Sequence, residues 1–387
     1  MVLKDFDIAF VGAGCSSWQL AHQLSFMADW HDKKVGLFSD GEAHHRSWCF
    51  WSDERHPLQF LVTKSWRNIA FISNGISITK NIAPYQYHYI PGKVFFDYFQ
   101  NQFLLANPNI VNIKSKISAI EKGQQSFVVH NGTQKWAANQ VFNSLPPKLD
   151  KAEKHIYLQQ HFKGWFIRTE QAVFDEETAT LMDFSIEQQN DVRFVYILPF
   201  SKYEALIEVT VFSENVYSDS VYDAVFENYM ACHYNGVKYT IEQTEQATIP
   251  MTNASFARHG KAGDILIGAA AGMVKATTGY AFNRISKDSH QIRLDLAHKK
   301  KLRLSNTKGR FKFYDTLLLG IISENPELGK VIFESLFSKV PMPTVLKFLD
   351  EQTTLSEEIF IFSKLPFLPF LKQVFKQCLS LKSWVTS

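Results

Sequence analysis

The sequence predicts a mixed fold of the α/β and α+β classes. We expect an α/β domain interrupted by a mostly antiparallel β-sheet and followed by a helical C-terminal region. Three observations predict it: the chain opens with a strand, a glycine-rich turn and a helix; residues 155–252 consist mainly of short strand patterns; and the apolar spacing becomes helical from about residue 290. The expected divisions are 1–150 and 256–290 for the α/β domain, 151–255 for the sheet domain and 291–387 for the helical region.

The composition excludes several classes of protein. The 387 residues give room for two or three subdomains around a sizeable core. A hydrophobic fraction of 45% with a charged fraction of 20% excludes disordered and fibrous proteins. A net charge of only +3 argues against a nucleic-acid partner.

Cysteine usage and the N-terminus indicate the compartment. The four cysteines form no C-x-x-C pair and no histidine cluster has ligand spacing, so we expect neither a metal site nor disulfides. The N-terminus lacks a signal-peptide pattern, and no apolar stretch approaches the ~18 residues that a membrane span requires. The sequence therefore predicts a reduced, cytoplasmic protein without a transmembrane helix.

The first α/β unit has the pattern of a Rossmann-type dinucleotide site. Residues 6–11 form a short strand, and residues 34–38 form a second strand after the turn and helix. Gly12 permits the tight turn, and Gly14 lets the backbone approach a pyrophosphate at the helix N-terminus. Ser17 replaces the usual third glycine, and Asp40 follows the second strand where an acidic residue is expected. The alternative is a tight loop without a ligand, and the motif alone does not separate FAD from NAD.

The later elements follow from strand and turn signals. Asn131-Gly132 predicts a hairpin among short strands in residues 116–145. Residues 263–270 predict a late strand, and Thr278-Gly279 predicts the start of a helix. The sheet domain is expected to contain a helix near 221–232 and strands at 162–168, 180–184, 193–200 and 206–212.

Glu208 lies in the last of these strands. Strand alternation puts Glu208 on one face with Leu206, Thr210 and Phe212, and puts Ile207, Val209 and Val211 on the other, in the core. A glutamate in an apolar cavity has a raised pKa and can act as an acid. The alternative from spacing alone is a solvated glutamate on the outer face of the strand.

A series of segments resembles, in the same order, those of bacterial lycopene β-cyclases. The resemblance covers roughly residues 5–290. The segments are Arg46-Ser47-Trp48-Cys49-Phe50-Trp51, Phe142-Asn143-Ser144, residues 160–165, 179–184, 194–201, 206–210 and 249–252, and the stretch from Gly272 to Tyr280.

The resemblance implies an isomerase, an intramolecular lyase that converts lycopene to γ-carotene and β-carotene. It implies a Rossmann-type FAD-binding domain, reduced FAD as cofactor and NAD(P)H as the reductant that keeps the flavin reduced, with no net electron transfer. Two alternatives remain open: a flavin monooxygenase or reductase that acts on a lipid, and a flavin- or lipid-binding protein without catalysis.

The resemblance also implies site residues. Glu208 would be the catalytic acid, and Asp183 would assist it or bind the flavin, although a hydrogen-bonded structural aspartate is the alternative. Trp48, Trp51 and Phe212 would contact substrate. For the two tryptophans and Arg46, the alternative is a packed tryptophan cluster with a surface arginine. The expected FAD-binding residues are Gly12, Gly14, Ser17, Asp40, Arg46, Lys275, Thr278, Gly279 and Tyr280.

A carotene substrate would come from a bilayer, so we expect docking on the inner face of the cell membrane. Residues 296–314 contain seven lysines and arginines and no acidic residue. Residues 359–371 are rich in phenylalanine and are interrupted by Pro366 and Pro369, which makes them too short and broken to span a bilayer. The alternatives are a solvated basic face and a helical core, respectively.

Overall fold

The computed structural model describes residues 2–41, 46–53, 56–73, 75–146, 155–304 and 309–385, with backbone alone for residues 2–4 and 379–385. The strands are β1 Val2–Val11, β2 Val35–Ser39, β3 Trp48–Ser52, β4 Lys64–Trp66, β5 Asn68–Ser73, β6 Ile76–Asn81, β7 Gln86–Ile90, β8 Ile110–Lys114, β9 Ala119–Lys122, β10 Phe127–His130, β11 Lys135–Asn143, β12 Tyr157–Thr169, β13 Thr178–Asp183, β14 Val192–Pro199, β15 Glu204–Ser213, β16 Tyr239–Thr252 and β17 Ile265–Leu266.

The helices are α1 Cys15–Leu24, α2 Gly92–Asp97, α3 Leu104–Ala106, α4 Asp219–His233, α5 Phe282–Ala297, α6 Gly309–Glu324, α7 Glu327–Lys339, α8 Met342–Leu349, α9 Leu355–Lys364 and α10 Phe367–Val385. A π-helical segment, Tyr98–Phe103, joins α2 to α3.

The first sheet has the strand order β8-β2-β1-β11-β10-β9. The neighbours from β8 to β11 are parallel, β17 adds a further parallel partner to β11, and β9 and β10 are antiparallel. Helix α1 packs against this sheet through Trp18, Leu20 and Leu24, which are buried with Phe10 and Phe142. The predicted α/β domain is therefore confirmed as a fold.

The second sheet has the order β16-β12-β15-β14-β13-β5-β6 and is antiparallel except between β5 and β13. One face of β15 packs its Ile207, Val209 and Val211 against the aromatic side chains of α4. The opposite face looks toward the C-terminal helices, where Phe333, Leu336 and Phe337 of α7 are buried with Leu206 and Phe212. The mostly antiparallel sheet and the helical C-terminal region are both confirmed.

Three features differ in detail from the sequence-based expectations. The sheet recruits β5 and β6, which come from residues 68–81 of the first segment. The late strand is limited to β17 and is followed by a 3-10 turn at Gly268–Ala271. Helix α5 begins at Phe282 rather than at Thr278-Gly279, because Gly279 has a φ of +72° and belongs to a turn. The expected division at residues 150 and 151 lies outside the described residues.

Candidate active site

A cavity of about 650 Å³ lies where the second sheet meets α7 and the loop before α5. The small third sheet, of order β3-β7-β4, contributes to another wall. Most of the lining is apolar or aromatic, with Phe162, Phe194, Phe212, Phe333 and Phe337 among its members. Such a lining suits a ligand with a large apolar part.

Glu208 projects into this cavity from β15. Leu206, Thr210 and Phe212 line the cavity on the same face, so the predicted alternation is confirmed. The side chain of Glu208 is only 7% exposed, and the hydroxyl of Thr210 donates a hydrogen bond of 2.6 Å to Oε1. Burial, reinforced by the nearby charge of Glu245, raises the pKa of Glu208 to about 8. A carboxyl in this environment keeps its proton at neutral pH.

Glu245 is a second carboxyl in the cavity, and no sequence pattern predicted it. It lies on the edge strand β16, is half-buried, and has its pKa raised to about 7 by burial. Its neighbours Gln243, Thr244 and Gln246 are polar, so the segment has the pattern of a solvated edge strand. Strands β16 and β15 both pair with β12, and this register places Glu245 on the same stretch of the cavity wall as Glu208. The sequence does not show that register.

Asp183 lies outside the cavity lining. Its Oδ2 accepts a hydrogen bond of 2.7 Å from the hydroxyl of Tyr229, and its Oδ1 accepts one of 2.8 Å from the backbone N–H of Ser185. The preceding residues, Leu181 and Met182, line the cavity instead. The first bond ties Asp183 to helix α4 and the second fixes the local chain, so the structure supports the structural alternative for this residue over the catalytic one.

The predicted substrate residues occupy different positions around the cavity. Trp48 and Phe212 line it, whereas Trp51 is buried behind it, with its ring 4.7 Å from the ring of Tyr280 in an edge-on arrangement. The hydroxyl of Tyr87 bonds at 2.8 Å to those of Tyr196 and Tyr280. All three tyrosines line the cavity, and burial raises their pKa values, so their rings are neutral.

The glycine turn has the geometry of an anion site. Gly12 has a φ of +92°, and the hydroxyl of Ser17 donates a 2.5 Å hydrogen bond to the Gly12 carbonyl. A side chain placed at Gly14 would meet no protein atom within 4 Å. Helix α1 starts at Cys15 without a side-chain cap and without an acidic residue in its first turn. Its first N–H groups therefore have no capping side chain, and such a helix start suits a phosphate. Ser17 fits the third position because it is buried and small.

The remaining expected cofactor residues divide into two groups. Arg46, Thr278, Gly279 and Tyr280 line the cavity, while Asp40 is exposed just after β2. Lys275 is buried in ion pairs, with its Nζ 2.8 Å from Asp315 and 2.9 Å from Glu351, so it fixes the loop instead of facing the cavity. Thr277 also donates a 3.0 Å hydrogen bond to Asp315. Thr277 and Thr278 precede α5 by several residues and do not cap it.

No group of three or more histidine, cysteine, aspartate or glutamate side chains in the described part of the chain has the arrangement of a metal site. None of the helices in these ranges is both long and apolar enough to cross a membrane.

Similar structures share the fold at low sequence identity. A geranylgeranyl bacteriochlorophyll reductase-like protein from Thermoplasma acidophilum has a TM-score of 0.60 at 10% identity, with 95% of this chain and 98% of that chain covered. A flavoprotein/dehydrogenase from Cytophaga hutchinsonii has a TM-score of 0.58 at 10% identity, with 96% and 99% covered. A flavin-dependent brominase has a TM-score of 0.58 at 9% identity, with 90% and 94% covered.

No curated protein matches the chain in sequence. The family model described as lycopene cyclase protein matches residues 7–374. Since this match spans nearly the whole chain, the protein belongs to the lycopene cyclase family.

Proposed function

We propose that the protein is a lycopene β-cyclase that closes the acyclic ends of lycopene to β-rings, forming γ-carotene and β-carotene. The observation that carries the proposal is Glu208, a carboxyl with a raised pKa in a largely apolar and aromatic cavity of a lycopene cyclase family member. The reaction is an isomerisation and needs an acid strong enough to protonate an alkene carbon.

The chain's own residues supply the steps of cyclisation. Glu208 would give its proton to the terminal double bond, and the neighbouring double bond would attack the resulting tertiary cation to close the ring. The rings of Phe162, Phe194, Phe212 and Tyr196 line the space where the cation forms. Aromatic faces stabilise such a charge by ~2 kcal/mol or more when water is absent. The apolar lining also keeps water from capturing the cation.

FAD fits the residues that are present. The open space at Gly14 and the uncapped start of α1 would hold the pyrophosphate, with Gly12 and Ser17 shaping the turn. Thr278 and Gln160 each have a buried side-chain oxygen without a hydrogen-bond partner in the described structure, and both line the cavity. Arg46, Gly279 and Tyr280 complete this wall. When bound, reduced FAD would supply negative charge beside the reacting cation, and NAD(P)H would keep it reduced.

The substrate's lack of polar groups supports peripheral association with the cytoplasmic face of the cell membrane. Exposed apolar side chains cluster on the consecutive helices α9 and α10: Ile359 is 72% exposed, Phe367 68% and Leu368 75%. Lys299, Lys300 and Lys301 are also exposed. An apolar surface together with basic residues suits the interface of an anionic bilayer. Lys308 of the basic segment lies outside the described residues.

Expression in a lycopene-accumulating bacterium tests the function. We expect the cells to form γ-carotene or β-carotene, identified by chromatography and absorption spectra. With FAD bound, the purified protein should oxidise far fewer moles of NAD(P)H than the moles of cyclised product that it forms. Oxygenated or saturated products with stoichiometric NAD(P)H consumption would instead show a monooxygenase or a reductase. Unchanged lycopene with bound flavin would favour a non-catalytic binding protein.

A further inference from the structure

Glu208 and Glu245 face each other across a glycine. In the paired strands β16-β12-β15, Gly164 lies directly opposite Glu208 on one side and directly opposite Glu245 on the other. A side-chain carbon at Gly164 would lie 3.5 Å from the Cβ of Glu208, 3.4 Å from the Cγ of Glu245 and 2.8 Å from a methyl of Leu206. The absence of a side chain at this position therefore leaves the space between the two carboxyls open to substrate.

Two carboxyls in an apolar cavity do not ionise independently. Each is desolvated, and a negative charge on one opposes ionisation of the other. The pair therefore loses its protons in two steps. Glu208 is the more deeply buried and has the higher pKa, about 8 against about 7, so Glu245 ionises first while Glu208 keeps its proton.

Resting on the proposed cyclase function, we propose that Glu245 is the general base that removes the ring proton after Glu208 has protonated the substrate. The O–H bond of Glu208 breaks and a C–H bond forms at the terminal alkene. The ring C–C bond then forms, and the ring C–H bond breaks as its proton passes to the carboxylate of Glu245 and the electron pair becomes the ring double bond. The substrate gains one proton and loses one, so no oxidant or reductant is needed. Return of the proton to Glu208 resets the pair.

The other described lining groups are unsuited to this role. The titratable side chains that face the pair are the hydroxyls of four tyrosines, the thiol of Cys49 and the exposed guanidinium of Arg46. Burial raises the pKa of Cys49 to about 12 and raises those of Tyr87, Tyr89, Tyr196 and Tyr280, so these groups keep their protons. The described part of the lining includes no histidine or aspartate, and α7 contributes only Phe333, Leu336 and Phe337. Glu245 is thus the carboxylate available to accept a proton.

The test compares Glu245→Gln and Glu245→Asp with the wild type, using purified protein reconstituted with FAD, a reductant and lycopene-containing liposomes. The matched control is Glu242→Gln, a change on the same strand at a residue that pairs with Arg168 outside the cavity. Flavin content and thermal unfolding verify that each variant folds. We expect Glu245→Gln to lose ~100- to 10,000-fold in the rate of β-ring formation, as for other acid–base groups. Glu245→Asp should retain a faster rate, and Glu242→Gln should match the wild type.

Two further readouts are specific to a base. Without Glu245 the ring cation loses a proton from another carbon, so the residual product of Glu245→Gln should shift toward rings with a differently placed double bond. Loss of its negative charge should also lower the pKa of Glu208, measured as the pH at which its protonated-carboxyl infrared band disappears.

Each outcome has one meaning. Equal rates for Glu245→Gln and Glu245→Asp, at any level, would overturn the role of Glu245 while leaving the cyclase function intact. Slower β-ring formation by Glu245→Gln than by Glu245→Asp, with an altered product ratio and a lower pKa of Glu208, would support the role. A wild-type protein that leaves lycopene unchanged would instead overturn the proposed function itself.

Discussion

At the scale of single residues, the desolvated carboxyl of Glu208 links the proposed chemistry to the stability of the fold. The ordinary pKa of this group is 4.5, and the cavity raises the pKa to about 8 by burial and by the charge of Glu245. Between these two pH values the folded protein holds a proton that the unfolded chain has released. The free energy of unfolding therefore falls as the pH rises through this window.

This linkage predicts a gain in stability when the carboxyl is removed. We expect Glu208→Gln to unfold at a higher temperature than the wild type at about pH 8.5. The difference should shrink toward about pH 4.5, where the folded carboxyl is protonated and the unfolded one is half protonated. Differential scanning calorimetry of the two proteins at both pH values measures it. The same difference in Tm at the two pH values would contradict the desolvation of Glu208.

Cyclisation itself should follow the ionisation of the same group. Because Glu208 must be protonated to act as the acid, we expect the rate of β-ring formation to fall as the pH rises above about 8. A pH–rate profile under single-turnover conditions measures this effect. A rate that stays constant to about pH 10 would show that a group with a higher pKa supplies the proton.

How far the sequence predicts individual site residues depends on strand regularity. Side chains alternate regularly along β15, so the sequence predicted which face of this strand Glu208 occupies. In β13 the register shifts between Thr180 and Asp183, so alternation no longer indicates which face a side chain occupies. The partners of Lys275, which are Asp315 and Glu351, lie 40 and 76 residues further along the chain, and only tertiary packing brings them together.

At the scale of elements, the turn between β1 and α1 offers a selective test of flavin binding. Gly12 is unsuitable because its φ of +92° and its contact with Ser144 make any substitution strained. Gly14 has open space where a side chain would point. We expect Gly14→Val to fold normally but to lose FAD, because the valine occupies the space of the pyrophosphate.

The control for this variant is Gly309→Val, which also has open space and lies at the start of α6. Flavin absorbance after purification and FAD titration compare the three proteins. Full flavin content in Gly14→Val would place the pyrophosphate elsewhere.

At the scale of the whole molecule, the exposed lysines at 299–301 and the apolar side chains of α9 and α10 predict membrane binding with an electrostatic part. Each lysine near an anionic surface contributes ~1 kcal/mol, so changing Lys299, Lys300 and Lys301 to serine should weaken binding roughly 100-fold at low salt. The double variant Phe367→Ser, Leu368→Ser should weaken the apolar contribution to membrane binding, which persists at high salt.

Co-sedimentation with anionic liposomes at low and high salt measures both effects. The control changes Lys116, Lys122 and Lys135, three exposed lysines of the α/β domain, to serine. Equal losses in the two triple variants would indicate a response to net charge rather than to this surface.

The fold of the whole molecule was predictable because its signals are local. The glycine turn, the strand patterns and the helical spacing each lie within short segments. The recruitment of β5 and β6 into the second sheet and the meeting of Glu208 with Glu245 depend on long-range pairing. No local pattern encodes that pairing, so Glu245 emerged only from the structure.

The central claim is that Glu208 is the acid of cyclisation, and the rate of β-ring formation by Glu208→Gln tests it most directly. The amide keeps the size of the side chain and removes the ionisable proton. With flavin content and lycopene binding equal to the wild type, we expect a loss of at least ~10,000-fold, and weak activity for Glu208→Asp, whose carboxyl is displaced by roughly 1 Å. Cyclisation by Glu208→Gln at near the wild-type rate would contradict the claim.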